Sequence, residues 1–132
     1  MQTNRKLRRA ALLLPGIALL SACATAAAAG AGAAAGIYLT DQGASGTVAS
    51  PLATVDTRTK AVLSEMGIQV TERKEENGEV EYHGTGNEME IVVELDAAGS
   101  GATLVKASAR KNVAEWDKEY ARTIVERITQ RR

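Results

Sequence analysis

Few residues in this sequence have side chains that could do chemistry. The 132 residues include one cysteine, Cys23, and one histidine, His83. A catalytic base or a metal site usually needs several such groups that converge from different parts of the fold. The serines lie in no Gly-x-Ser-x-Gly context of the kind that exposes a nucleophile. We therefore predict that the protein is not an enzyme and has no catalytic residues, no metal ligands and no cofactor.

The strongest charge feature is an acidic stretch, residues 65–96, with ten acidic residues against two cations. In a meander of paired strands, several of these glutamates share one solvent face, and Lys106 and Arg110 on the next strand relieve part of their repulsion. A solvated sheet face is the simplest interpretation. The alternative is a docking surface for a basic partner segment or for divalent cations, although the Asp-x-Asp-x-Asp-Gly spacing of a calcium loop is absent. The predicted solvent face contains Glu79, Glu81, Glu88, Glu90 and Glu94, and the candidate binding surface is Glu81, Glu90 and Glu94.

The N-terminus has the three-part pattern of a secretory signal peptide. Residues 1–9 carry four cations and no acid, and Ala10–Leu20 is an apolar run of 11 residues. This run is too short for a membrane span, which needs about 20 residues. Small residues follow in the sequence Leu20-Ser21-Ala22-Cys23. The pattern predicts a signal peptide over residues 1–22.

The sequence Leu20-Ser21-Ala22-Cys23 resembles the lipobox of bacterial lipoproteins. The resemblance implies cleavage between Ala22 and Cys23 and a diacylglyceryl thioether on the Cys23 sulfur. It therefore implies a membrane partner, held through the lipid on Cys23, with the protein facing the periplasm. By likeness to the enterobacterial sorting pattern, Ala24 favours the outer membrane. An ordinary signal peptide with an incidental cysteine, or an uncleaved anchor, is the alternative.

The charge of the mature chain bears on its partners. Without residues 1–22 the chain has 12 Lys and Arg against 16 Asp and Glu, a net charge of about −4. Nucleic acid is therefore not an expected partner, because it usually needs a clustered cationic face. No small-molecule substrate is evident, and an envelope protein is the expected macromolecular partner.

Residues 23–46 are rich in Ala and Gly, a composition typical of a tether, and we predict one here after the lipidated cysteine. A second interpretation is a helix with a small-residue face at Gly32 and Gly36 that packs in or on the membrane. A phosphate-binding loop is excluded, because no Lys-Ser or Lys-Thr follows the glycines.

Residues 47–132 have the pattern of one small folded domain. Ser50 and Pro51 predict the start of a helix and Gly67 its end. Asn77-Gly78 predicts a hairpin turn, and alternating apolar residues around it predict strands. Asn112 with Glu115 predicts the capping box of a second helix. The apolar stripe of that helix contains Val113, Trp116, Tyr120, Ile124, Val125 and Ile128.

These elements predict an α+β fold: a two-layer sandwich of order β-α-β-β-β-α, with two helices on one face of a mostly antiparallel sheet. The order, the Gly/Ala tract after the lipobox, and Ser50-Pro51-Leu52 through Gly67-Ile68 resemble a family of small bacterial lipoproteins catalogued as domain of unknown function 3568. The resemblance implies a compartment and a fold, and no activity.

Three functions are compatible with the sequence. The favoured one is a lipid-anchored, non-catalytic binding or scaffold module of the cell envelope. The second is a structural lipoprotein that associates with itself or with membrane through its Ala/Gly segment. The third and least favoured is a periplasmic enzyme, which would need a concave site around His83 or a carboxylate pair.

Overall fold

The computed structural model describes residues 35–132. The predicted signal peptide (1–22), its cleavage site at Ala22 and Cys23, the lipidation of Cys23 and the first part of the tether lie outside the described residues. Among the helices that are described, none is both long and apolar enough to cross a membrane.

Within residues 35–132, six antiparallel strands form one sheet and two helices pack on one of its faces, so the predicted α+β sandwich is confirmed. The strands follow the order β1-β2-β6-β5-β4-β3 across the sheet. The predicted succession of elements is retained, with one more strand before the first helix and one more between the helices. The elements are β1 (Ala35–Leu39), β2 (Gly43–Val48), α1 (Leu52–Glu65), β3 (Gln69–Glu76), β4 (Glu79–Gly86), β5 (Met89–Ala97), β6 (Thr103–Arg110) and α2 (Lys118–Gln130).

The folded domain begins earlier than residue 47, because β1 and β2 lie within the segment predicted as a tether. That prediction is wrong for residues 35–46. The small residues there are needed for close packing. A Cβ on Gly46 would lie 3.2 Å from Val125 Cγ1 of α2 and 3.1 Å from Ile37 Cγ1. The missing side chain at Gly46 therefore lets α2 approach the sheet.

The core lies between the helices and the inner face of the sheet. Alternation along the strands places every second side chain on this face, as the half-buried strand pattern predicts. Val93 and Leu95 of β5, Val105 of β6 and Ile124 of α2 are fully buried there. The other face of the sheet has no helix over it in the part of the chain that the structure describes.

Helix α1 ends as predicted but begins differently. Gly67 has a φ of +69°, the left-handed conformation expected after a helix. The predicted cap at Ser50 is wrong: Pro51 is the N-cap, and no side chain caps the helix. The carbonyl of Ser50 instead accepts a hydrogen bond from Thr103 Oγ1 at 2.9 Å.

Helix α2 begins later than predicted, so the capping box of Asn112 and Glu115 is wrong. Asp117 is the N-cap, and its Oδ1 accepts a hydrogen bond from the Tyr120 backbone N–H at 2.9 Å. This bond lowers the pKa of the Asp117 carboxyl. The helix starts late because the chain first turns back beside β6: the Lys111 N–H donates to the Glu115 carbonyl at 2.9 Å, and the Asp117 N–H donates to the Ala109 carbonyl at 2.8 Å. The predicted stripe is confirmed from Tyr120 onwards, whereas Val113 is 92% exposed.

Candidate functional site

The candidate site is the face of the sheet opposite the helices, which we call the open face. It is defined by the side chains that alternate with the core residues on the central strands. Cross-strand pairing places Tyr38, Ser45, Lys106 and Glu94 in one row across four strands. The open face also contains Glu81 and His83 of β4, Glu90, Val92 and Asp96 of β5, and Leu104, Ser108 and Arg110 of β6.

The three glutamates of the candidate binding surface lie on the open face, and each has its own cationic or imidazole partner. Glu81 and Glu94 are direct cross-strand neighbours, while Glu90 lies farther along β5, opposite Thr85. Glu90 pairs with Arg110, and Glu81 contacts His83. The surface is therefore a set of internal pairs and not a bare acidic patch.

Glu94 shares its partner with a second acid. Lys106 Nζ lies 2.7 Å from Asp96 Oδ2 and 3.1 Å from Glu94 Oε2. The hydrogen bond to Asp96, followed by the one to Glu94, raises the pKa of the Lys106 ammonium. The predicted relief by Lys106 and Arg110 is confirmed. Glu88, predicted on the same face, is instead a turn residue with a φ of +61°, because the chain reverses there between β4 and β5.

A cleft of about 250 Å³ opens on this face beside the edge strand β1. It is lined by Tyr38, Ser45, Val92, Leu104, Lys106 and Ser108, among others. Ser45 is 3% exposed, and its Oγ has no hydrogen-bond partner among the described residues. A buried hydroxyl left without a partner costs about 1–3 kcal/mol. Within residues 35–132, Ser45 Oγ is the one buried side-chain polar atom in this situation.

The cleft follows from the side-chain sizes along β2. Gly43, Ala44, Ser45 and Gly46 are all small, and the neighbouring open-face residues Tyr38 and Lys106 are long. The Gly43 backbone also approaches β6 closely, since a Cβ there would lie 1.9 Å from the Ala107 carbonyl oxygen. The small residues of β2, whose composition is typical of a linker, therefore form the floor of a depression between longer side chains.

Trp116 lies on the open face and not in the core, which corrects its predicted place in the stripe of α2. Its backbone forms an isolated antiparallel bridge with Arg110, and the Arg110 guanidinium lies 5.7 Å from the centre of its ring. The half-buried indole lines a second cleft of about 250 Å³. The two clefts share Gln42, Val92, Glu94 and Ser108.

A buried ionic cluster on the helix side of the sheet was not predicted from the sequence. Asp56 of α1 is 9% exposed and accepts hydrogen bonds from Arg73 Nη2 at 2.8 Å and from the Tyr82 hydroxyl. Burial raises the pKa of Asp56, and the hydrogen bonds from Tyr82, Arg73 and Lys60 more than offset this, so the pKa lies below its usual value. Burial and the bond to Asp56 raise the pKa of Tyr82 to about 12. The cluster ties α1 to the β3–β4 hairpin.

The position of Asp56 offered the only sequence signal for this cluster. Asp56 follows Val55 and precedes Thr59 by three residues, which places this acid on the apolar side of the predicted helix. Its partners on β3 and β4 are distant in sequence, and no local pattern identifies them.

His83 lines neither cleft, and its neighbour is Glu81. Among residues 35–132, no group of three or more His, Cys, Asp or Glu side chains is placed to hold a metal ion. The prediction that the protein is not an enzyme stays a prediction.

No family model matches the sequence, and no curated protein matches it. Membership of the small lipoprotein family therefore stays a prediction, and the geometry of the open face is the basis for a function.

Proposed function

We propose that this protein is a lipid-anchored binding module of the bacterial cell envelope, which captures its partner on the open face of the sheet. One observation carries the proposal: within residues 35–132 the Ser45 hydroxyl has no partner, and it lies in a cleft on a sheet face that neither described helix covers. The exposed ring of Tyr38 and the half-buried ring of Trp116 stand beside the two clefts. Aromatic side chains with polar groups nearby are typical of binding surfaces.

The anchor is the N-terminal part of the proposal. The lipobox pattern at residues 20–23 supports lipidation of Cys23, and β1 begins at Ala35, 12 residues farther on. A chain of that length reaches at most about 40 Å when fully extended. Lipidation would therefore keep the open face close to the membrane. We place the protein on the periplasmic side of the membrane, with the outer membrane favoured by Ala24, and within the family of small lipoproteins it resembles.

The anchor is tested by mass spectrometry of the mature protein. We expect acyl chains on residue 23 and a larger, unprocessed precursor for Cys23→Ser, because the thiol accepts the lipid. Cys23→Ala is the matched control and should behave in the same way. An unmodified cysteine in the mature protein would overturn the anchor.

Binding through the open face is tested by placing a photo-crosslinking residue at either of two positions in the full chain. One is Ser108, on the floor of both clefts, and the other is Ser64, an exposed residue of α1. We expect position 108 to crosslink to an envelope component, and the double variant Tyr38→Ala/Trp116→Ala to lose this product. Position 64 should give no product of the same electrophoretic mobility. Equal crosslinks from both positions would contradict binding on the open face.

A second candidate is the structural lipoprotein that associates with itself, and an asymmetry of the sheet edges favours it. The edge strand β3 carries five charged residues, which discourage pairing with another strand. The other edge strand, β1, is Ala-Gly-Ile-Tyr-Leu and has no charge. Two copies could pair along it. Gly36→Lys adds a charge where a Cβ meets nothing within 4 Å, so it should abolish a dimer without disturbing the fold.

The edge is tested by the mass of the full chain in detergent, measured by light scattering. A wild-type dimer that Gly36→Lys converts to a monomer would support this candidate. A wild-type monomer at all concentrations would remove it.

A further inference from the structure

The Ser45 hydroxyl is a candidate hydrogen-bond partner for a bound ligand. Among the described residues its Oγ is buried and unpartnered, and its cross-strand neighbours on the open face are Tyr38 and Lys106. A ligand reaches the hydroxyl when one of these side chains moves aside. Tyr38 is the one that can move, since it is 58% exposed on the edge strand, whereas Lys106 is bonded to two acids. A purely apolar ligand would leave the hydroxyl unsatisfied.

The charges around the clefts are already paired, so the expected ligand is neutral. Lys106 is bonded to Asp96 and Glu94, and Arg110 to Glu90. A charged ligand would have to break or compete with these pairs. The remaining polar side-chain groups of the lining are uncharged, namely the hydroxyls of Tyr38, Thr40, Ser45 and Ser108, the amide of Gln42 and the indole N–H of Trp116.

The aromatic rings indicate the shape of the ligand. Trp116 pairs with Arg110 on the β2 side of β6, because Glu90 of β5 occupies the other side. Arg110 lies four residues along β6 from Lys106, which shares the row of Tyr38. Strand geometry then separates the backbones of Tyr38 and Trp116 by roughly 14 Å. Between the rings lie Gln42 and the shared floor of the two clefts.

Sugar rings combine the properties that this surface asks for. They present hydroxyls around their rim and an apolar C–H face, so they can hydrogen-bond with hydroxyls and amides while stacking on aromatic rings. With their backbones roughly 14 Å apart, the two aromatic residues can each contact a separate sugar. We infer that the open face binds an uncharged oligosaccharide across the two clefts, with one sugar on Tyr38 and bonded to Ser45, and another beside Trp116. This inference rests on the proposed binding function and names its ligand class.

The experiment titrates the full chain with chitotetraose, cellotetraose and the acidic tetragalacturonate. The protein is held in a detergent without a sugar headgroup, because a glycoside detergent would compete. Trp116 is the only tryptophan, so its fluorescence reports the second cleft directly. Saturation-transfer NMR detects the bound sugar independently. We expect saturable binding of at least one neutral tetrasaccharide and binding of tetragalacturonate at least tenfold weaker.

Variants on β1 and β2 identify the cleft. Tyr38→Ala and Ser45→Ala should each weaken binding of the neutral sugar at least fivefold. Leu39→Ala should bind like the wild type, since Leu39 pairs with Ala44 and so lies on the other side of β1. Tighter binding of tetragalacturonate, unchanged binding in both cleft variants, or no binding of either neutral sugar would overturn the inference.

The crosslinks from Ser108 separate this inference from the proposed function. If no sugar binds while envelope crosslinks from Ser108 persist and depend on Tyr38 and Trp116, the saccharide is wrong and the binding function stands. If position 108 crosslinks to a peptide segment of a partner protein, the saccharide is likewise wrong and the binding function stands. If sugars do not bind and the crosslinks are absent too, both proposals are wrong.

Discussion

Replacing Asp56 by Asn should destabilise the domain by about 2–3 kcal/mol at pH 7. The carboxylate is 9% exposed and accepts hydrogen bonds from Tyr82 and Arg73. Hydrogen bonds to a charged group contribute about 1.5–3 kcal/mol each. Arg73 is partly exposed, so its share is reduced by solvent screening, and Asn retains one neutral acceptor. The expected loss is large beside the total of about 5–15 kcal/mol for a typical domain.

The pKa of Asp56 adds a pH dependence with a definite sign. The folded-state pKa lies below the ordinary value of 3.8, so the unfolded chain binds the proton more readily. The stabilisation is therefore present above the unfolded pKa and is lost as the pH falls through the folded one. The difference between wild type and Asp56→Asn should be constant from about pH 5 to 7 and smaller at pH 3.

Urea unfolding followed by far-UV circular dichroism at pH 7, 5 and 3 measures this difference. Asp41→Asn, at an exposed turn residue, is the matched control and should change stability by less than about 0.5 kcal/mol. Tyr82→Phe, alone and with Asp56→Asn, completes a double-mutant cycle that isolates the coupling across the cluster. Equal stability of Asp56→Asn and wild type at pH 7, or a difference that persists undiminished at pH 3, would refute the argument.

Three further predictions concern packing. Gly43→Ala should lower the free energy of unfolding by at least about 2 kcal/mol, because its Cβ would clash with the β6 backbone. Gly36→Ala, the control, should lower it by less than about 1 kcal/mol. Equal losses in chemical unfolding would contradict the close approach of β2 to β6. Trp116→Ala should cost about 1–2 kcal/mol, and the 3–5 kcal/mol of a buried indole would place the ring in the core after all. Circular dichroism should show that a fragment of residues 35–132 is folded. A fragment of residues 47–132 should be unfolded, because β1 and most of β2 are then missing. If both fragments are folded, the domain begins at residue 47, as the sequence predicted.

Local signals predicted the parts of the fold that local physics determines. The turn at Asn77-Gly78 has φ values of +50° and +79°, as that dipeptide favours. Alternation along β5 and β6 identified the inner face. The start of α2 was wrong because Asn112 does bond locally, through Oδ1 to the Ala114 N–H and Nδ2 to Glu115, without beginning a helix. An Asx turn and a helix cap have the same local sequence.

The candidate site was only partly predictable. Glu81, Glu90 and Glu94 were placed on the correct face, but their partners depend on strand register, which the sequence leaves open until β6 is paired with β5. Ser45 carried no signal at all in the sequence. Its burial depends on Tyr38 and Lys106, which become its neighbours only when β2 pairs on both sides. The composition of β2 predicted a linker, because small residues are typical both of flexible linkers and of closely packed strands.

The position of β1 has a mechanical consequence. It is the first element after residues 1–34 and also the edge of the sheet, so tension on the N-terminal segment enters the domain through a strand held on one side only. The pairing of β1 with β2 is irregular between Ala35 and Ile37, at the end where the load arrives. Such a strand separates from β2 one residue pair at a time, from Ala35 towards Leu39, while the other five strands keep their shape. The pair that contains Tyr38 would separate near the end of this process. A domain under tension would therefore lose its edge strand before its core unfolds.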